Sequence, residues 1–404
     1  MTKIRVLNVV DEFHPDAGYE NNILSKFMVQ LGYDYQILTT SFVAGKNYMD
    51  FLGSENIAQK DAEFTERTGV KITRLPIKRR VSGRAIWRFR AFMESVDSIR
   101  PDILFFCGND TLIFISFVRK FKKQLLRGTL PYKIIADSHM LEMAARNKLR
   151  FLFYRFYRSF VTPIIIKAGI KVIRMQDDDF VRRRLGVPAS LSPFISFGTD
   201  TSLFFPSLEQ KKAMRSQLGI PDDAFVVLYA GKISEEKGGL ILSGSLLEKM
   251  KTKSGKELAF LVLANATGEY EKRVVEELAK SENRVLLHPT VPYAQLAPFF
   301  QAADLAIFPK QCSLSFFDLQ ACGVPVVLEN NSINEERVSH GNGFLYDGTC
   351  ADLRRAILAA ADDPHFNLCA QHAVQFIREN YDYQTIAKQF DWEFSKLLEG
   401  RQQS

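Results

Sequence analysis

The order of strand and helix patterns along the chain predicts an α/β protein with two tandem, doubly wound parallel sheets. Short apolar runs rich in β-branched residues, which are typical of buried parallel strands, alternate with amphipathic stretches of helical spacing. The alternation restarts with FVVLYAG (225–231), after the segment FGTDTSLFFPS (197–207). A chain of 404 residues exceeds what one core usually organises, and 46% hydrophobic residues suffice for two cores.

The first half of the chain contains the elements of one predicted sheet. IRVLNVV (4–10) is its first strand, NNILSKFMVQLG (21–32) is a helix that ends at Gly32, and YQILTT (35–40) is the second strand. The later strands are VKITRLP (70–76), DILFFC (102–107), KIIADSH (133–139), KVIRM (171–175) and PFISFG (193–198). Strands that alternate with helices in this way form parallel sheets with crossover connections.

The second half contains the elements of another such sheet. A helix through SGSLLEKM (243–250) follows its first strand. The predicted strands are FVVLYAG (225–231), LAFLVLA (258–264), VLLHPTV (285–291), DLAIFP (304–309) and VPVVLE (324–329). We therefore place one domain at 1–198 and the other at 199–382.

Cysteine usage and hydropathy favour an intracellular protein. The five cysteines are Cys107, Cys312, Cys322, Cys350 and Cys369. Their odd number and scattered spacing indicate neither a disulfide framework nor a zinc site. No apolar run approaches the length that spans a bilayer, and the start MTKIRVLNVVDEF lacks the layout of a signal peptide. We expect a cytoplasmic location, with attachment at the inner face of the membrane left open.

Positive charge is unevenly distributed along this chain, whose formal net charge is +7. Mixtures of basic and aromatic residues occur at 77–92, 117–128 and 146–160. In the last of these, Arg150, Arg155 and Arg158 recur at near-helical intervals, which predicts a helix with a basic and an aromatic face. Two interpretations stay open: the exposed face of an ordinary helix, or docking to an anionic membrane. Nucleic-acid binding is not expected, because no recognition motif accompanies the charge.

The stretch AADLAIFPKQCSLSFFDLQACGVPVVLEN (302–330) places an acid and small residues between two strand-like runs. Its middle part predicts a loop that enters a helix, where backbone N–H groups attract anions and Asp318 can reach a ribose hydroxyl. The stretch resembles the P-S-x-x-E-G-F-G-x-x-x-x-E-A-M-A-C-G-x-P-V-V signature of retaining family-4 glycosyltransferases (glycosyl transferases group 1). It matches the flanking strands, the A-C-G-x-P-V-V tail and the second acid, as Asp318, but has Lys310 at the place of the first Glu.

The resemblance implies the GT-B fold, in which two Rossmann-like domains face each other across a cleft. The family usually has a G-x-D…F-x-P signature between its domains, and this chain has Gly198, Asp200, Phe205 and Pro206 there. The family's terminal helix packs back on the first domain, so 383–404 is expected to join residues 1–198.

The resemblance also implies a donor site in the second domain. FVVLYAGKISEEKGG (225–239) is a strand, a turn at Gly231 and two lysines, Lys232 and Lys237, at the carboxyl end where open α/β sheets bind ligands. Family members usually have Arg and Lys here to grip the donor diphosphate, so both lysines are expected to be catalytic. Lys232 keeps the charge of that Arg but lacks its bidentate fork. The implied donor-binding set comprises Gly18, Gly231, Lys310, Cys312, Ser313, Leu314 and Asp318.

Two candidates lie in the first domain. Gly18 covers the place of a Gly-Gly pair that opens the family's first helix, although a glycine before a helix is also ordinary turn chemistry. His139 follows a strand's carboxyl end, from which family members present a histidine to the donor sugar, and a structural role is the alternative. Glu329, Asn330 and Asn331 either touch the donor or cap the next helix.

The implied activity is the transfer of a hexose-type sugar from a nucleotide diphosphate to a glycan or polyprenyl-linked acceptor, with retention, in cell-surface polysaccharide biosynthesis. The donor is a co-substrate, with a UDP-sugar favoured over a GDP-sugar, and no cofactor is expected. No D-x-D motif lies in a plausible site, so basic side chains would replace a metal. The alternative is a non-catalytic GT-B scaffold that binds a nucleotide sugar or a partner glycosyltransferase.

Overall fold

The computed structural model describes residues 3–42, 49, 52–53, 55–81, 84–140, 150–176, 178–266 and 268–399. The chain divides into two compact units, Met1–Phe197 with Gln384–Ser404, and Gly198–Tyr383. Within the described ranges, no helix combines the length and the apolar character that crossing a membrane requires.

The described residues of the first unit contain eight strands. They are β1 (Arg5–Val10), β2 (Asp34–Thr40), β3 (Lys71–Leu75), β4 (Ile77–Val81), β5 (Arg84–Trp87), β6 (Ile103–Phe106), β7 (Lys133–Ser138) and β8 (Lys171–Arg174). Six of them form one sheet in the order β3-β2-β1-β6-β7-β8, and all its neighbours pair in parallel. Strands β4 and β5 form a separate antiparallel hairpin.

The helices of this unit connect the parallel strands. They are α1 (Glu20–Gln30), α2 (Ile57–Thr68), α3 (Phe89–Ile99), α4 (Leu112–Lys120), α5 (Lys122–Arg127), α6 (Arg150–Phe160), α7 (Thr162–Ala168) and α8 (Phe180–Arg183). As predicted, α1 ends before Gly32, whose φ of +98° suits a residue without a side chain. The core on one face of the sheet is rich in aromatic rings, among them Phe92, Phe106 and Phe117.

The second unit repeats this plan. Its strands are β9 (Phe225–Ala230), β10 (Leu258–Leu263), β11 (Arg284–His288), β12 (Leu305–Phe308), β13 (Val326–Glu329) and β14 (Gly343–Tyr346). They form a parallel sheet in the order β11-β10-β9-β12-β13-β14. In both sheets the order of the strands along the sheet reverses beside the first strand, between β1 and β6 and between β9 and β12. Open α/β sheets bind ligands at this switch point, at the carboxyl ends of the strands.

Among the described residues, eight α-helices accompany this second sheet, and α17 follows them. They are α9 (Leu208–Gln217), α10 (Gly239–Ser245), α11 (Glu269–Leu278), α12 (Leu296–Ala302), α13 (Ser315–Ala321), α14 (Ser332–Val338), α15 (Cys350–Ala361), α16 (Phe366–Asn380) and α17 (Tyr383–Glu399). Nearly all of α17 belongs to the first unit, where Phe390 and Phe394 pack on Phe105 of β6.

The predicted class, α/β with two doubly wound parallel sheets, is confirmed. One predicted strand is wrong: 193–198 forms only an isolated bridge, between Arg174 and Phe194. Pro193 has no N–H to donate, which shortens the ladder at that point. The prediction also missed the hairpin β4–β5 and strand β14. The four residues of β14 are too few to show a hydrophobic period.

Candidate functional site

The loop after β9 brings the two predicted lysines to the carboxyl edge of the second sheet. Gly231 has a φ of +152°, and its N–H donates to the Leu263 carbonyl at 3.1 Å. The Tyr229 hydroxyl donates to the Lys232 carbonyl at 2.7 Å, which fixes the start of the loop. A short 3-10 turn, Glu235–Lys237, then places Lys237 against the neighbouring loop.

That neighbouring loop, residues 309–314 between β12 and α13, is the signature loop. Gly238 lies against it with a φ of +74°, and a Cβ at this position would lie 3.0 Å from Cβ of Pro309 and 3.2 Å from its carbonyl carbon. On the other side, the Tyr346 hydroxyl donates to the Pro309 carbonyl. The close approach of the two loops therefore requires the glycine, and β14 supplies the tyrosine that anchors them.

Lys237 joins the two loops directly. Its Nζ donates to the carbonyl oxygens of Gln311 and Cys312, at 3.1 and 3.2 Å. Burial lowers the pKa of Lys237; the charges of Cys312 and Glu236 oppose this, whereas the cations Arg337 and Lys232 add to it. The ammonium is thus held by two carbonyl oxygens, with the cations Arg337 and Lys232 and the acid Glu236 nearby. An added anion would gain favourable electrostatic energy from the cations.

Arg337 was not predicted as a site residue. It lies on α14, where its guanidinium contacts the Asn334 side chain at 3.2 Å and lies 5.5 Å from the ring centroid of Phe316. The same charge acts on both Lys237 and Cys312. The sequence contained a signal for Arg337, because it is the one basic residue of α14, the helix that follows β13.

The remaining residues of the signature loop differ in exposure. Lys310 is exposed, whereas Cys312 is part-buried and burial raises the pKa of its thiol. The hydroxyls of Ser313 and Ser315 lie 2.6 Å apart, and Leu314 precedes α13. The structure therefore brings the predicted loop residues together beside Lys237, and their contact with a donor stays a prediction.

Asp318 lies inside α13 with only 4% of its surface exposed. Its Oδ1 accepts from the Thr199 hydroxyl at 2.5 Å and from the Tyr293 hydroxyl at 3.0 Å. Burial raises the pKa of Asp318 to about 7, while these two hydrogen bonds act in the opposite direction. Oδ1 of Asp318 thus already accepts from two protein hydroxyls. The predicted contact of Asp318 with a ribose hydroxyl stays a prediction. Thr199 occupies the variable place in the G-x-D signature, which could have identified it.

The residues after β13 have structural partners. The Asn331 side chain accepts from the Asn334 N–H at 3.0 Å, so it caps α14, as one of the two interpretations expected. Asn330 donates to Asp347 at 3.1 Å. The Glu329 carboxylate lies beside Gly348, where a Cβ would approach it to 3.1 Å.

A second group of polar side chains lies at the carboxyl edge of the first sheet. His139 follows β7, and its Nε2 lies 2.8 Å from Oε2 of Glu20 and 3.5 Å from Oδ2 of Asp137. Glu20 is the first residue of α1, two residues after Gly18, so the structure places both first-domain candidates at this edge. The sequence prediction missed Glu20 and Asp137. The polar triplet E-N-N (20–22) at the start of an otherwise apolar helix was the available signal.

Burial and charge act in opposite directions on this histidine. Burial lowers the pKa of His139, but the carboxylates of Asp137 and Glu20 outweigh it and hold the pKa well above 6.5. In the part of the chain that the structure describes, Glu20, Cys107, Asp137 and His139 form one group with metal-ligand spacing, since their donor atoms lie within 4.8 Å of one another.

Residues 210–381 match the sequence model of the family described as "Glycosyl transferases group 1". This region is similar to members of that glycosyltransferase family. The resemblance predicted from the signature is thereby confirmed, and Lys232, Lys237, Lys310, Asp318 and Arg337 all lie inside the matched range. A D-inositol 3-phosphate glycosyltransferase of Xylanimonas cellulosilytica is 32% identical over 208 residues, which are 48% of each chain. The chain spans less than half of the length of the curated relatives it matches first.

Two solved structures share the fold over nearly the whole length of the chain. A glycosyltransferase from Rickettsia africae is 14% identical, with a TM-score of 0.72 over 98% of this chain and 99% of that one. The Anabaena protein HepE, solved with UDP-glucose, is 18% identical, with a TM-score of 0.69 over 97% and 100%. The chain therefore has the GT-B glycosyltransferase fold that the resemblance implied.

The basic and aromatic segments 77–92 and 146–160 differ in how their side chains are paired and exposed. Within 77–92, Arg80 pairs with Glu12 at 3.0 Å and Arg84 pairs with Asp110, so part of that charge is neutralised; positions 82–83 lie outside the described residues. Within 146–160, the described part is α6. Its Tyr157 is buried in the core, whereas Phe151 and Phe160 are 59% and 57% exposed.

Proposed function

We propose that this protein is a retaining glycosyltransferase that moves a hexose-type sugar from a nucleotide diphosphate to a glycan or lipid-linked acceptor. The observation that carries the proposal is the gathering of Lys232, Lys237 and Arg337 around the signature loop, in a region that matches the glycosyltransferase family model. Three cations at the carboxyl edge of a parallel sheet suit a diphosphate better than a neutral or cationic ligand.

The proposed chemistry places the positive charge where negative charge develops. As the glycosidic bond breaks, the anomeric carbon gains oxocarbenium character and the diphosphate gains charge. Lys232 and Lys237 stabilise this leaving group, with Arg337 adding to the potential. The family retains anomeric configuration through attack on the same face, assisted by the departing phosphate, so an enzymic nucleophile is not part of the proposal.

We propose that the donor is bound without a metal ion, since these side chains can supply the compensating charge. UDP-sugars are the preferred donors in this proposal. The support for a UDP-sugar is the Anabaena protein HepE, which is 18% identical to this chain and was crystallised with UDP-glucose. No cofactor takes part, because transfer of a glycosyl group involves no net oxidation or reduction.

The acceptor is proposed to be glycan or polyprenyl-linked and to be reached at an anionic membrane surface, in the assembly of a cell-surface polysaccharide. Its support is the exposed apolar set of Phe151, Leu152, Phe160 and Ile166 on helices that also carry Arg155 and Lys167. Apolar side chains beside cations suit the headgroup region of anionic bilayers. Co-sedimentation with phosphatidylglycerol vesicles, but not phosphatidylcholine vesicles, should be lost when Phe151, Leu152 and Phe160 are changed to Ser.

Turnover of labelled nucleotide sugars tests the main proposal. The wild-type protein should transfer sugar or slowly hydrolyse one donor, and Lys237→Ala and Asp318→Ala should each lower this rate at least about a hundredfold. Lys272→Ala, on the exposed side of α11, is the matched control and should keep full activity. If no donor is consumed by a protein that is folded and binds nucleotide, catalysis is excluded.

The second candidate is a non-catalytic GT-B scaffold that binds a nucleotide sugar or a partner glycosyltransferase. Two observations favour it: Lys310 stands where the family has its first Glu, and Lys237 is engaged by carbonyl oxygens of the signature loop. This candidate predicts nucleotide binding that Lys237→Ala weakens, without turnover of any donor.

A further inference from the structure

Two buried acids at the carboxyl edge of the first sheet lack hydrogen-bond partners for most of their oxygens. Glu20 and Asp137 are 1% and 0% exposed. Apart from the contacts with His139, both carboxylate oxygens of Glu20 and Oδ2 of Asp137 have no hydrogen-bond partner in the described part of the chain. Burial of a carboxylate without a partner is costly, so oxygens placed in this way favour a cation between them.

The contact between Glu20 and His139 does not supply the missing hydrogen bond. Oε2 and Nε2 lie 2.8 Å apart, yet these two atoms are not aligned as a hydrogen bond. Oδ2 of Asp137 lies 3.5 Å from the same nitrogen. Three atoms of the kind that bind metals thus face one another at short range without a directed bond between them, which is the relation of ligand atoms around a common centre.

Cys107 supplies a fourth donor atom. It follows β6, the neighbour of β7 in the sheet, and its sulfur lies within 4.8 Å of the donor atoms of Glu20, Asp137 and His139. Around one zinc ion, bonds of about 2.0 to 2.3 Å place the ligand atoms roughly 3 to 4 Å apart. Small side-chain rotations therefore bring the four donors to that spacing. Cysteine spacing could not indicate this group, because its members come from three separate segments of the chain.

Hydrogen bonds from neighbouring groups orient two of the donors. The Asn21 side chain donates to Sγ of Cys107 at 3.2 Å and accepts from the Asn8 side chain at 2.7 Å. The Gly108 N–H donates to Oδ1 of Asp137 at 2.6 Å, which leaves Oδ2 for another ligand. Outer hydrogen bonds of this kind fix the orientation of metal ligands in proteins.

We propose that one zinc ion binds to this group and stabilises the first unit; its ligands are Glu20, Cys107, Asp137 and His139. Zinc accepts nitrogen, sulfur and carboxylate oxygen together, whereas magnesium and calcium require oxygen ligands. The thiol and the imidazole nitrogen give up their protons when they bind the ion. The ion can enter past His139, whose side chain is 37% exposed. His139 then has the structural role that is the alternative to a contact with the donor sugar.

Cobalt binding to the full-length protein tests the site without any assay of turnover. After removal of bound metal with a chelator and of the chelator by dialysis, the wild type should bind one cobalt ion per chain, with the absorption of a cobalt–thiolate bond. ZnCl2 should displace the cobalt, and MgCl2 should not. Cys107→Ser should remove the absorption, and Glu20→Gln should weaken binding at least about tenfold. Cys350→Ser is the matched control, because Cys350 is also part-buried but begins α15 in the second unit.

Thermal unfolding gives a second measurement. ZnCl2 should raise the Tm of the metal-depleted wild type, because an ion that binds only the folded state stabilises it, and it should not raise the Tm of Cys107→Ser. A chelator should lower the Tm of the zinc-loaded protein and leave the further increase that a nucleotide causes unchanged. The zinc site is therefore tested separately from the proposed function, whose donor site lies in the second unit.

Three results would overturn the proposal. The first is that the folded, metal-depleted wild type binds neither cobalt nor zinc at micromolar concentrations. The second is cobalt binding without the thiolate absorption, which decides the matter even if Cys107→Ser does not fold. The third is unchanged zinc affinity in folded Glu20→Gln and Cys107→Ser, which would show adventitious binding elsewhere on the protein. Turnover of a nucleotide sugar, or its absence, bears on none of these results.

Discussion

The two sheets of this protein share one strand order but differ in the charge at their carboxyl edges. In the first sheet, the buried acids Glu20 and Asp137 lie beside His139 at this edge. In the second sheet, it carries three cations, Lys232, Lys237 and Arg337, around a loop of carbonyl oxygens. The same architecture is thus equipped for two kinds of ligand group.

This difference shows that the fold determines where a ligand binds and the loops determine what binds. Parallel sheets with this order leave a crevice beside the first strand in either unit. The cationic edge suits a diphosphate, whereas the edge of the first sheet holds His139 beside two buried acids.

Removing the central cation should have the largest effect. Lys237→Ala should lower kcat/KM by about a hundredfold to a thousandfold, because a fixed charge beside the leaving diphosphate is lost. Steady-state kinetics with the preferred donor measures this, and Lys237→Arg should recover part of the activity. If Lys237→Ala has the same kcat/KM as the wild type, Lys237 does not act on the diphosphate, and the proposed difference in charge between the two sheet edges has no role in catalysis.

Burial of Asp318 in the second unit should make the free energy of unfolding depend on pH. The pKa of Asp318 is about 7 in the folded protein against 3.8 for an unperturbed Asp, so the folded state binds the extra proton between these values. The free energy of unfolding therefore falls as pH rises through this window, by roughly 2 to 3 kcal/mol between about pH 5 and pH 7.

Asp318→Asn should remove that slope, since an amide does not titrate and its oxygen can still accept from Thr199 and Tyr293. Chemical denaturation of both proteins at several pH values measures the difference. A difference that is independent of pH would show that Asp318 is ionised throughout the range and would place its pKa near the ordinary value.

Arg337 should contribute less than Lys237, because it lies on α14 and is held by Asn334. Arg337→Gln is expected to weaken nucleotide diphosphate binding about tenfold, the effect of one charge-assisted contact. Calorimetric titration with the diphosphate and with the uncharged nucleoside separates the two contributions. Equal losses for both ligands would indicate a general distortion of the loop and not a phosphate contact.

Lys310 should have the smallest effect of the four, because its side chain is exposed. Lys310→Glu restores the family's residue and should change the ratio of kcat/KM between two donor sugars by up to about fivefold, the range for an exposed charge. Competition between the two donors in one reaction measures the ratio. Unchanged turnover and donor choice would show that Lys310 has no role in the site.

Local patterns predicted the parts of this molecule that depend on neighbours in the sequence. Strand-like runs, Gly32 after α1 and the lysines after β9 were all identified in this way. The pattern failed at 193–198, where a run that looks like a strand pairs only once. It also missed the hairpin β4–β5, whose basic residues hide any alternation.

The candidate site was harder to predict because its groups come from distant parts of the chain. Glu20 and His139 meet only because β1, β6 and β7 are adjacent, which the sequence alone does not state. Thr199 reaches Asp318 across 119 positions of sequence. Pairs of this kind depend on strand order and register, so single residues could be proposed but their partners could not.

The central claim is that the second unit binds a nucleotide diphosphate through its own cations. Thermal unfolding with UDP, GDP, ADP and TDP, each with and without a chelator, tests it most directly, because a ligand that binds only the folded state raises the Tm. The account predicts that UDP raises the Tm, that the chelator leaves the shift unchanged and that Lys237→Ala abolishes it. No shift with any nucleotide, or a shift that the chelator removes, would contradict it.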